Sequence, residues 1–344
     1  MSQSLTIEEI ASLAQVSRST VSRVLNEHPN VRASVRERVL QVISEQNYAP
    51  RAAARSLANN RTQSLCFLFP NKTSSVFEDP FFAMLMQGML EVANRRGYFV
   101  MLSAVAPDME QDFYRKVLRS RPFDGLIMLA SVEDDPLLPM LLRDRMPFVL
   151  CERHPYLRNV SWIEIDNRES AREAVLHLLK LGHRRIGTIT GPLNTSSGVE
   201  RRDGYKQALL EHGIGIAPEL IIEGDYHPDG GFAGMQRLLQ LPDPPTAMFI
   251  ASDLMAIGAM RALRAAGLRV PHDTAIVSFD DLPAARFADV PLTTVHQPIR
   301  DIGLNATDIL IDQLEQQDFT PTFRRMPTKL IIRDSCGASL RTGA

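Results

Sequence analysis

A short polar segment near the start of the chain carries the side chains best suited to reading DNA. Arg18, Ser19, Ser22 and Arg23 fall on one side of a predicted helix, and its apolar residues fall on the other. Arginine forms paired hydrogen bonds with guanine O6 and N7, and serine hydroxyls reach bases or phosphates in a major groove. This pattern favours a DNA-recognition helix. An ordinary helical hairpin with a solvated polar face is the alternative.

Three short helices are predicted to position these side chains. Apolar residues at i, i+3, i+4 and i+7 mark the first helix, with Thr6 and Glu9 spaced to form a capping box. Ser17 is placed to cap the second helix. Ser34 and Glu37 have the spacing of another capping box, at the start of the third helix. The first 48 residues therefore predict a small trihelical head.

Charge is unevenly distributed along the 344 residues. Residues 1–62 hold eight arginines, no lysine and five glutamates, a net of +3, so the overall charge of −2 leaves −5 for the remainder. A basic head on an acidic body is typical of a DNA-binding protein with a separate ligand domain.

Cysteine spacing and hydropathy argue against several other classes. Cys66, Cys151 and Cys336 lie far apart, with no CxxC pair and no histidine at metal-ligand spacing. We therefore expect no metal, no cofactor, and buried cysteines in a reducing compartment. No apolar run approaches the length of about 18 residues that a membrane span needs, and residues 1–30 are too polar for a signal peptide. The expected location is the cytoplasm, with no membrane partner.

From residue 63 onward, apolar runs of strand length alternate with helical patterns. Repeated β-α units with nearly continuous apolar strands indicate parallel sheets covered by helices on both faces. Two such sets predict two doubly wound parallel-sheet subdomains with a ligand cleft between them. The predicted strands span 64–69, 98–103, 125–129, 147–151, 185–190, 220–222, 247–251, 275–279, 292–296 and 328–333. The predicted helices span 81–96, 109–119, 170–180, 201–211, 231–239, 255–266 and 299–316.

Polar and aromatic side chains follow the carboxyl ends of these strands, where open α/β sheets bind ligands. Carboxylates and guanidinium groups form paired hydrogen bonds with hydroxyls, and an aromatic ring stacks on the CH face of a sugar. The set is therefore suited to a polyol. The candidate ligand-binding residues are Phe81, Phe82, Glu152, Thr195, Ser197, Arg201, Tyr226, Ser252, Asp253 and Asp280.

Three of these assignments have purely structural alternatives. Asp280, or its neighbour Asp281, is also placed to cap a helix at Leu282. Arg201 could brace its loop by an ion pair, and Phe82 could belong to the core rather than the cleft. The residue pattern alone leaves both interpretations open.

Two segments of the head closely resemble the N-terminus of the LacI/GalR family of bacterial transcription regulators. They are VSRSTVSRVLN at 16–26 and NYAPRAAARSL at 47–57. Four later runs resemble the family's effector domain, which has the type I periplasmic-binding-protein-like fold. They are LKLGHRRIGTITGP (179–192), ASDLMAIGAMRAL (251–263), SFDD (278–281) and PLTTVHQP (291–298). The resemblance covers essentially the whole chain.

The resemblance implies a division of the chain into three parts. These are a helix-turn-helix DNA-binding domain at 1–48, a hinge helix and linker at 49–62, and an effector-binding and dimerisation domain at 63–344. It also implies three crossings between the two subdomains, near 165, 292 and 326. The N-subdomain would then span about 63–165 and 293–326, and the C-subdomain about 166–292 and 327–340.

The resemblance also assigns DNA contacts. Arg18, Ser19 and Arg23 match exposed positions of the recognition helix, and Leu57 matches a leucine that wedges between base steps in the minor groove. Residues 52–59 have little apolar surface to bury, so we expect them to become helical only on the operator. The expected DNA-binding residues are Thr6, Ser17, Arg18, Ser19, Thr20, Ser22, Arg23, Asn26, Tyr48, Arg51, Ala54 and Leu57.

The function implied by the resemblance is a sequence-specific repressor of sugar-utilisation genes, binding a palindromic double-stranded DNA operator as a homodimer. Asp280, Arg201 and Tyr226 align with ligand-contacting positions of the family. Thr195 and Val199 stand where some members carry arginines. That difference favours a neutral carbohydrate effector over a charged, purine-like one.

Other functions are alternatives to a sugar-controlled repressor. A solute-binding sugar receptor has the same second fold, but would need an export signal in place of the basic head. A corepressor-dependent or activating regulator would use the same residues. An enzyme is disfavoured, because the chain has no GxGxxG, GxxxxGK[ST], HExxH or GxSxG motif. No leucine heptad follows Arg333, so we expect a dimer rather than a tetramer.

Overall fold

The computed structural model describes residues 5–25, 28–48, 61–69, 77–104, 120–129, 135 and 137–341. The chain divides into two compact units, Met1–Gln63 and Ser64–Ala344. Several predictions fall outside the described residues. They are the DNA contacts Asn26, Arg51, Ala54 and Leu57, the hinge helix at 52–59 and the helix at 109–119.

The described part of the first unit is built from three helices. They are α1 (Ile7–Leu13), α2 (Arg18–Leu25) and α3 (Ala33–Glu45). The first capping box is confirmed, because the Thr6 hydroxyl accepts from Glu9 N at 3.3 Å and Glu9 Oε2 accepts from Thr6 N at 2.6 Å. Ser17 caps α2, with its hydroxyl accepting from Thr20 N at 3.2 Å. The buried apolar core of the head consists of Ile10, Ala11, Ala14, Val21, Val24 and Val39.

The second predicted capping box is wrong. Helix α3 begins at Ala33, so Ser34 lies inside the first turn and Arg32 occupies the N-cap position. No side chain caps this helix end. The helix starts two residues earlier than a Ser34 cap would require. The Ser-x-x-Glu spacing alone does not predict this earlier start.

The second unit contains the strands of two sheets. In chain order they are β1 (Ser64–Phe69), β2 (Phe99–Ala104), β3 (Gly125–Met128), β4 (Phe148–Leu150), β5 (Ser161–Ile165), β6 (Ile186–Thr190), β7 (Ile221–Glu223), β8 (Ala247–Ile250), β9 (Ala275–Asp280), β10 (Thr293–His296), β11 (Phe323–Met326) and β12 (Lys329–Ile331). The helices are α4 (Pro80–Arg95), α5 (Leu137–Arg143), α6 (Asn167–Lys180), α7 (Ser196–Glu211), α8 (Pro228–Leu239), α9 (Asp253–Ala265), α10 (Pro283–Arg286), α11 (Ile299–Gln316) and α12 (Ala338–Arg341).

Within the described ranges each sheet has six strands. Sheet I has the order β11-β5-β4-β3-β1-β2, and all its neighbours are parallel. Sheet II has the order β12-β10-β9-β8-β6-β7 and is parallel except for the antiparallel edge strand β12. The strand order reverses beside β1 in sheet I and beside β6 in sheet II. Ligands bind at such switch points, beyond the carboxyl ends of the strands. The predicted fold class is confirmed.

Strands β5 and β11 were not predicted, because neither has a continuous apolar run. In β5 the buried polar residues Ser161 and Glu164 interrupt the pattern. Their partners lie far away in sequence: Ser161 Oγ accepts from Gln313 Nε2 at 2.8 Å, and Glu164 pairs with Arg325 at 2.7 Å. Strand β11 is a largely exposed edge strand with the sequence FRRM. Partners this distant in sequence leave no local pattern.

The predicted crossing near 292 is wrong. Residues Thr293–His296 pair in parallel with Val277–Asp280 of sheet II, so they belong to the C-subdomain and not to the N-subdomain. The chain leaves sheet II only after His296, and α11 then packs against α4 and the strands of sheet I. The other two crossings lie at Asp166 and at residues 327–328.

Two glycines allow α4 and α11 to pack backbone against backbone. A Cβ atom at Gly88 would overlap the carbonyl oxygen of Arg300 and lie 2.8 Å from Leu304 N. A Cβ at Gly303 would overlap the carbonyl oxygen of Leu85 in the same way. Because both obstacles are backbone atoms, neither can move aside without separating the helices. This contact joins the first helix of the N-subdomain to the helix that returns after the second crossing.

We predict that Gly88→Ala destabilises the effector domain by ~1–3 kcal/mol, because the added methyl forces these two backbones apart. Gly215→Ala is the matched control, since a Cβ at Gly215 meets no atom within 4 Å. The control should change the free energy of unfolding by no more than about 0.5 kcal/mol. Urea denaturation of the full chain measures both variants. Equal stability of the two variants would contradict the close packing.

Candidate functional site

The surface of α2 presents the predicted base-reading residues together. Arg18, Ser19 and Arg23 are exposed and Ser22 is half-buried, whereas Val21 on the opposite face is fully buried. Helix α2 is held by its cap and by its apolar face, so these polar side chains extend from one fixed helix. Such a surface has the dimensions and hydrogen-bonding groups of a major-groove recognition helix.

Other predicted DNA contacts have structural roles in the head. Thr6 caps α1, and the Ser17 hydroxyl lies 2.8 Å from that of Ser19 and 2.9 Å from that of Thr20. Tyr48 is half-buried and packs against the apolar core of the head. A side chain in this position can offer only its exposed edge to a nucleic acid.

A cavity of about 400 Å³ lies between the carboxyl ends of the two sheets. Nine of the ten predicted ligand residues line it, and the exception is Asp253. Sheet I contributes from the segments after β1, β3, β4 and β5, and sheet II from those after β6, β7, β8, β9 and β10. The nine are Phe81, Phe82, Glu152, Thr195, Ser197, Arg201, Tyr226, Ser252 and Asp280.

Asp253 was predicted to contact ligand, and the structure contradicts this. It is fully buried behind the cavity wall and accepts from Ser278 Oγ at 2.5 Å, Thr294 Oγ1 at 2.7 Å and Leu282 N at 2.7 Å. Burial raises the pKa of Asp253 to about 7, although these bonds favour the ionised form. Its carboxylate joins β9, β10 and the segment before α10. The sequence showed only an Asp that follows Ser252 beyond the end of a predicted strand.

Helix α7 begins at Ser196, five residues before its predicted start at Arg201. The Thr195 hydroxyl caps it by accepting from Gly198 N at 3.2 Å. Ser197 and Arg201 are therefore four residues apart on one helix face, which directs both toward the cavity.

Arg201 is the buried cation of the cavity, with 6% of its surface exposed. Its Nε donates to Asn167 Oδ1 at 2.9 Å, and its Nη1 donates to the carbonyl oxygen of Ala251 at 2.7 Å. Nη1 also lies 3.4 Å from Asp280 Oδ1, and the guanidinium stacks 3.7 Å from the centre of the Phe279 ring. Arg201 therefore does form an ion pair, with Asp280, as its structural alternative stated. Both members of this pair also line the cavity.

Asp280 does not cap α10. Leu282 takes the N-cap position, and no side chain bonds to that helix end in the manner of a cap. Asp280 Oδ1 instead accepts from Gln297 Nε2 at 2.5 Å. Asp281 is engaged elsewhere, accepting from Arg333 Nη2 at 2.6 Å and lying 3.0 Å from His296 Nδ1. Asp280 therefore lines the cavity and does not cap a helix.

Two cavity residues have left-handed backbone conformations. Asp280 has φ +113° and Tyr226 has φ +66°. Such angles strain non-glycine residues, and strain of this kind concentrates at binding sites. The Tyr226 ring packs so closely on Gly191 that a Cβ at that glycine would overlap its hydroxyl. The Tyr226 hydroxyl donates to Ser197 Oγ at 3.2 Å.

Burial raises the pKa values of two acidic groups in the cavity, Asp280 and Glu152. For Asp280, burial raises the pKa well above its usual value, and Arg201 lowers it. For Glu152, burial raises the pKa to about 7, while Arg201 and a hydrogen bond from Ser197 lower it. Glu152 Oε1 is buried without a hydrogen-bond partner among the described residues.

Phe82 is both a core residue and a cavity residue, so both interpretations of it are correct. It is 6% exposed and packs in the core, with its ring centre 5.2 Å from that of Phe69. It also lines the cavity, together with Phe81, whose ring centre lies 5.7 Å away at an angle of 85°. The aromatic wall is therefore anchored in the core of sheet I.

Sequence reasoning missed seven polar residues of the cavity. They are Asp79, Glu164, Asn167, Asn194, Asp225, His227 and Gln297. Asp79 caps α4, with Oδ1 accepting from Phe81 N at 2.9 Å, and the Asp-Pro step at 79–80 was an available signal. Gln297 directly follows β10, so correct assignment of that strand to sheet II would have identified it. Asn194 lies in the segment after β6. It is a polar residue beyond the carboxyl end of a strand, the criterion by which the other candidates were chosen.

The described residues contain no group of three or more His, Cys, Asp or Glu side chains arranged to hold a metal ion. Among the helices that the structure describes, none is long and apolar enough to cross a membrane.

Comparison with known proteins identifies both units. Residues 6–51 match the family described as "Bacterial regulatory proteins, lacI family", and residues 175–336 match "Periplasmic binding protein-like domain". The transcriptional regulator CelR of Thermobifida fusca is 36% identical over 96% of this chain and 98% of its own length. The repressor CytR of Escherichia coli is 34% identical over 97% of this chain and 96% of its own.

Solved structures of two such regulators superpose on this chain. A CelR–cellobiose complex superposes with a TM-score of 0.76 at 35% identity, over 96% of this chain and 99% of that one. A Lac repressor dimer bound to operator and anti-inducer superposes with a TM-score of 0.84 at 28% identity, over 97% and 99%. The fold and site define a DNA-binding transcription regulator with a periplasmic-binding-protein-like domain, not an enzyme. The chain belongs to the LacI family of bacterial transcription regulators.

We predict that Glu152→Gln stabilises the ligand-free protein above about pH 7, by ~1–3 kcal/mol, because it removes a buried charge. The folded protein binds the Glu152 proton more tightly than the unfolded chain does. Its stability therefore falls as the pH rises from the unfolded pKa of 4.5 to the folded pKa of about 7. The advantage of the variant should shrink over the same interval as the pH is lowered. Urea unfolding at several pH values tests this, and parallel pH profiles would contradict it.

Proposed function

We propose that this protein represses transcription by binding a palindromic operator as a homodimer, and that a carbohydrate in the cavity weakens that binding. The observation that carries the proposal is the buried Arg201–Asp280 pair beside an aromatic wall, in a chain whose head belongs to a DNA-binding family. The finding that residues 6–51 match that family removes the solute-receptor alternative.

A carbohydrate suits the chemistry of the cavity. A guanidinium and a carboxylate side by side can donate to and accept from adjacent hydroxyls of one sugar ring. Phe81 and Tyr226 offer ring faces that can stack on its CH groups. A relative with 36% identity, CelR, has a solved complex with cellobiose, which supports a sugar for this chain as well.

Dimerisation through sheet I is supported by exposed apolar side chains. Strand β2 is an edge strand, and its Phe99, Met101 and Leu102 are all exposed, Phe99 to 73%. Leu90 on the adjacent helix α4 is also exposed. An edge strand bearing this much apolar surface invites association with another chain. We place the dimer contact here.

A dimer is needed because one short helix reads only a few base pairs. Two heads related by a twofold axis would meet half-sites about one helical turn apart. The hinge at 52–59 would order on the operator, with Leu57 inserted in the minor groove. Because the proposed operator is bacterial chromosomal DNA, we place this function in the cytoplasm.

The ligand would act through closure of the cavity. Both subdomains contribute to its walls, so a bound sugar favours the arrangement in which both contact it. This arrangement would shift the N-subdomains against each other across the dimer and spread the hinge helices. The ligand can move the equilibrium only by its differential affinity for the two states, typically ~1–3 kcal/mol.

The test begins by selecting binding sites from random double-stranded DNA with the full-length protein. Fluorescence anisotropy then measures operator affinity with and without a panel of mono- and disaccharides. We expect a palindromic site and a sugar that weakens binding. A sugar that tightens binding would support the corepressor alternative. Failure of every carbohydrate in the panel to bind would refute the proposed effector class.

We predict that Arg18→Ala weakens operator binding by ~1–3 kcal/mol and relaxes preference at one base pair in each half-site. In the free head, Arg18 pairs with Glu8 at 3.1 Å on the surface, and an exposed pair of this kind costs little to break on DNA. Arg38→Ala is the control for loss of charge, because Arg38 occupies an exposed position on α3. Equal losses on operator and random DNA would mean that Arg18 contacts only phosphate.

We predict that Asp280→Asn raises the sugar concentration needed for half-release from the operator by about tenfold. A carboxylate forms a charge-assisted bond of ~1.5–3 kcal/mol with a hydroxyl, against about 1 kcal/mol for a neutral amide. Release is measured relative to each variant's own operator affinity. Asp289→Asn, at an exposed Asp of the same subdomain, is the control. A normal response from Asp280→Asn would remove this carboxylate from the site.

A further inference from the structure

The cavity holds more negative than positive groups. Among its described lining residues one carries a guanidinium, Arg201, and five carry carboxylates. The carboxylates belong to Asp79, Glu152, Glu164, Asp225 and Asp280. Glu164 is compensated from outside, by Arg325 at 2.7 Å and Arg153 at 3.5 Å. Arg201 acts on Glu152 and Asp280, and His227, which also lines the cavity, acts on Asp79.

Three contacts hold the guanidinium of Arg201 in place. Its Nε is held by Asn167 and its Nη1 by the carbonyl oxygen of Ala251, and its plane rests on the Phe279 ring. Its closest carboxylate is Asp280, at 3.4 Å. The guanidinium is therefore fixed on the sheet II side of the cavity.

Among the described residues that line the cavity, Glu152 is the acid with a buried carboxyl oxygen that accepts no hydrogen bond. It is 9% exposed, and its Oε1 has no hydrogen-bond partner within the described residues. Arg201 and Ser197 favour its ionised form, whereas burial and the nearby carboxylates of Glu164 and Glu200 oppose it. A buried carboxylate oxygen with no donor is unfavourable, and a bound ligand can supply the missing donor.

The aromatic wall adds a second, independent preference. Phe81, Phe82 and Tyr226 line the same cavity as Glu152. Aromatic faces attract ammonium groups through their negative quadrupole, and the attraction grows when the cation is desolvated. A carboxylate together with aromatic faces in a closed cavity is a favourable environment for an amine.

We propose that the effector is an amino sugar, and that Glu152 pairs with its ammonium group. The proposal rests on the carbohydrate function above and specifies the class of carbohydrate. The ammonium supplies the donor that Oε1 lacks, and it adds positive charge to a cavity lined by five acidic side chains and one guanidinium. A neutral sugar could supply only the donor, and an anionic ligand would bring a charge of the same sign as the cavity carboxylates.

The experiment compares sugars in matched pairs, in which one hydroxyl of each sugar ring is replaced by an amine. The pairs are glucose with its 2-amino, 3-amino and 6-amino derivatives, and cellobiose with the β-1,4-linked glucosamine disaccharide. Isothermal titration calorimetry on the full-length protein near neutral pH measures each affinity. At least one amino sugar should bind about tenfold more tightly than its hydroxyl partner, a difference of ~1.4 kcal/mol.

Two controls locate the effect at Glu152. Glu152→Gln should remove the preference for the amine, whereas Glu200→Gln, which removes a nearby charge outside the cavity lining, should retain it. N-acetylation of the preferred amino sugar removes the positive charge from the ligand instead. It should abolish the preference in the wild-type protein, so this arm does not depend on how any variant folds.

The possible outcomes separate the two proposals. If neutral sugars bind as tightly as all their amino partners, the amino-sugar inference fails and the carbohydrate function stands. If an amine preference persists in Glu152→Gln, the assignment to Glu152 is wrong. If no sugar of either kind binds, the carbohydrate function itself fails.

Discussion

The binding site depends on keeping one guanidinium charged inside the protein. A buried arginine is tolerated only when its donors are satisfied and its charge is compensated. For Arg201 these conditions are met by Asn167, by the carbonyl oxygen of Ala251 and by Asp280. These partners lie at the start of one helix and at the ends of two strands of sheet II. Their arrangement around one side chain fixes where these elements end, and so the shape of that side of the cavity.

The cavity also adjoins the segments that connect the subdomains. Asn167 follows the first crossing and Gln297 lies in the second, and both line the cavity. Gln297 donates to Asp280, which in turn contacts Arg201. A group that displaces or strengthens these bonds therefore acts directly on the connections between the two sheets. No long chain of intermediate residues is required to link binding with relative movement of the subdomains.

Local patterns predicted the alternation of strands and helices. Nine of the ten predicted ligand residues line the cavity, because side chains beyond parallel strands converge at one edge of a sheet. They failed where distant contacts decided the outcome. Asp253 was misassigned because its hydroxyl partners, Ser278 and Thr294, lie 25 and 41 residues away. The unpaired oxygen of Glu152 was also beyond reach, since its isolation depends on how Arg201 is held. Sequence spacing identifies which residues meet, but it does not determine which of their atoms stay unsatisfied.

The chain passes between the two subdomains three times, and this has a consequence for its synthesis. Sheet I is complete only when β11 pairs with β5, and α4 gains its glycine contact only when α11 arrives, more than 200 residues after Gly88. A ribosome therefore releases the two members of each pair far apart in time. During translation the N-subdomain must wait, with one helix-packing face uncovered, while every strand of sheet II except β12 is made. Contacts of such long range slow folding and expose apolar surface to aggregation. For this architecture, the time spent on the ribosome is the interval in which a chaperone is most useful.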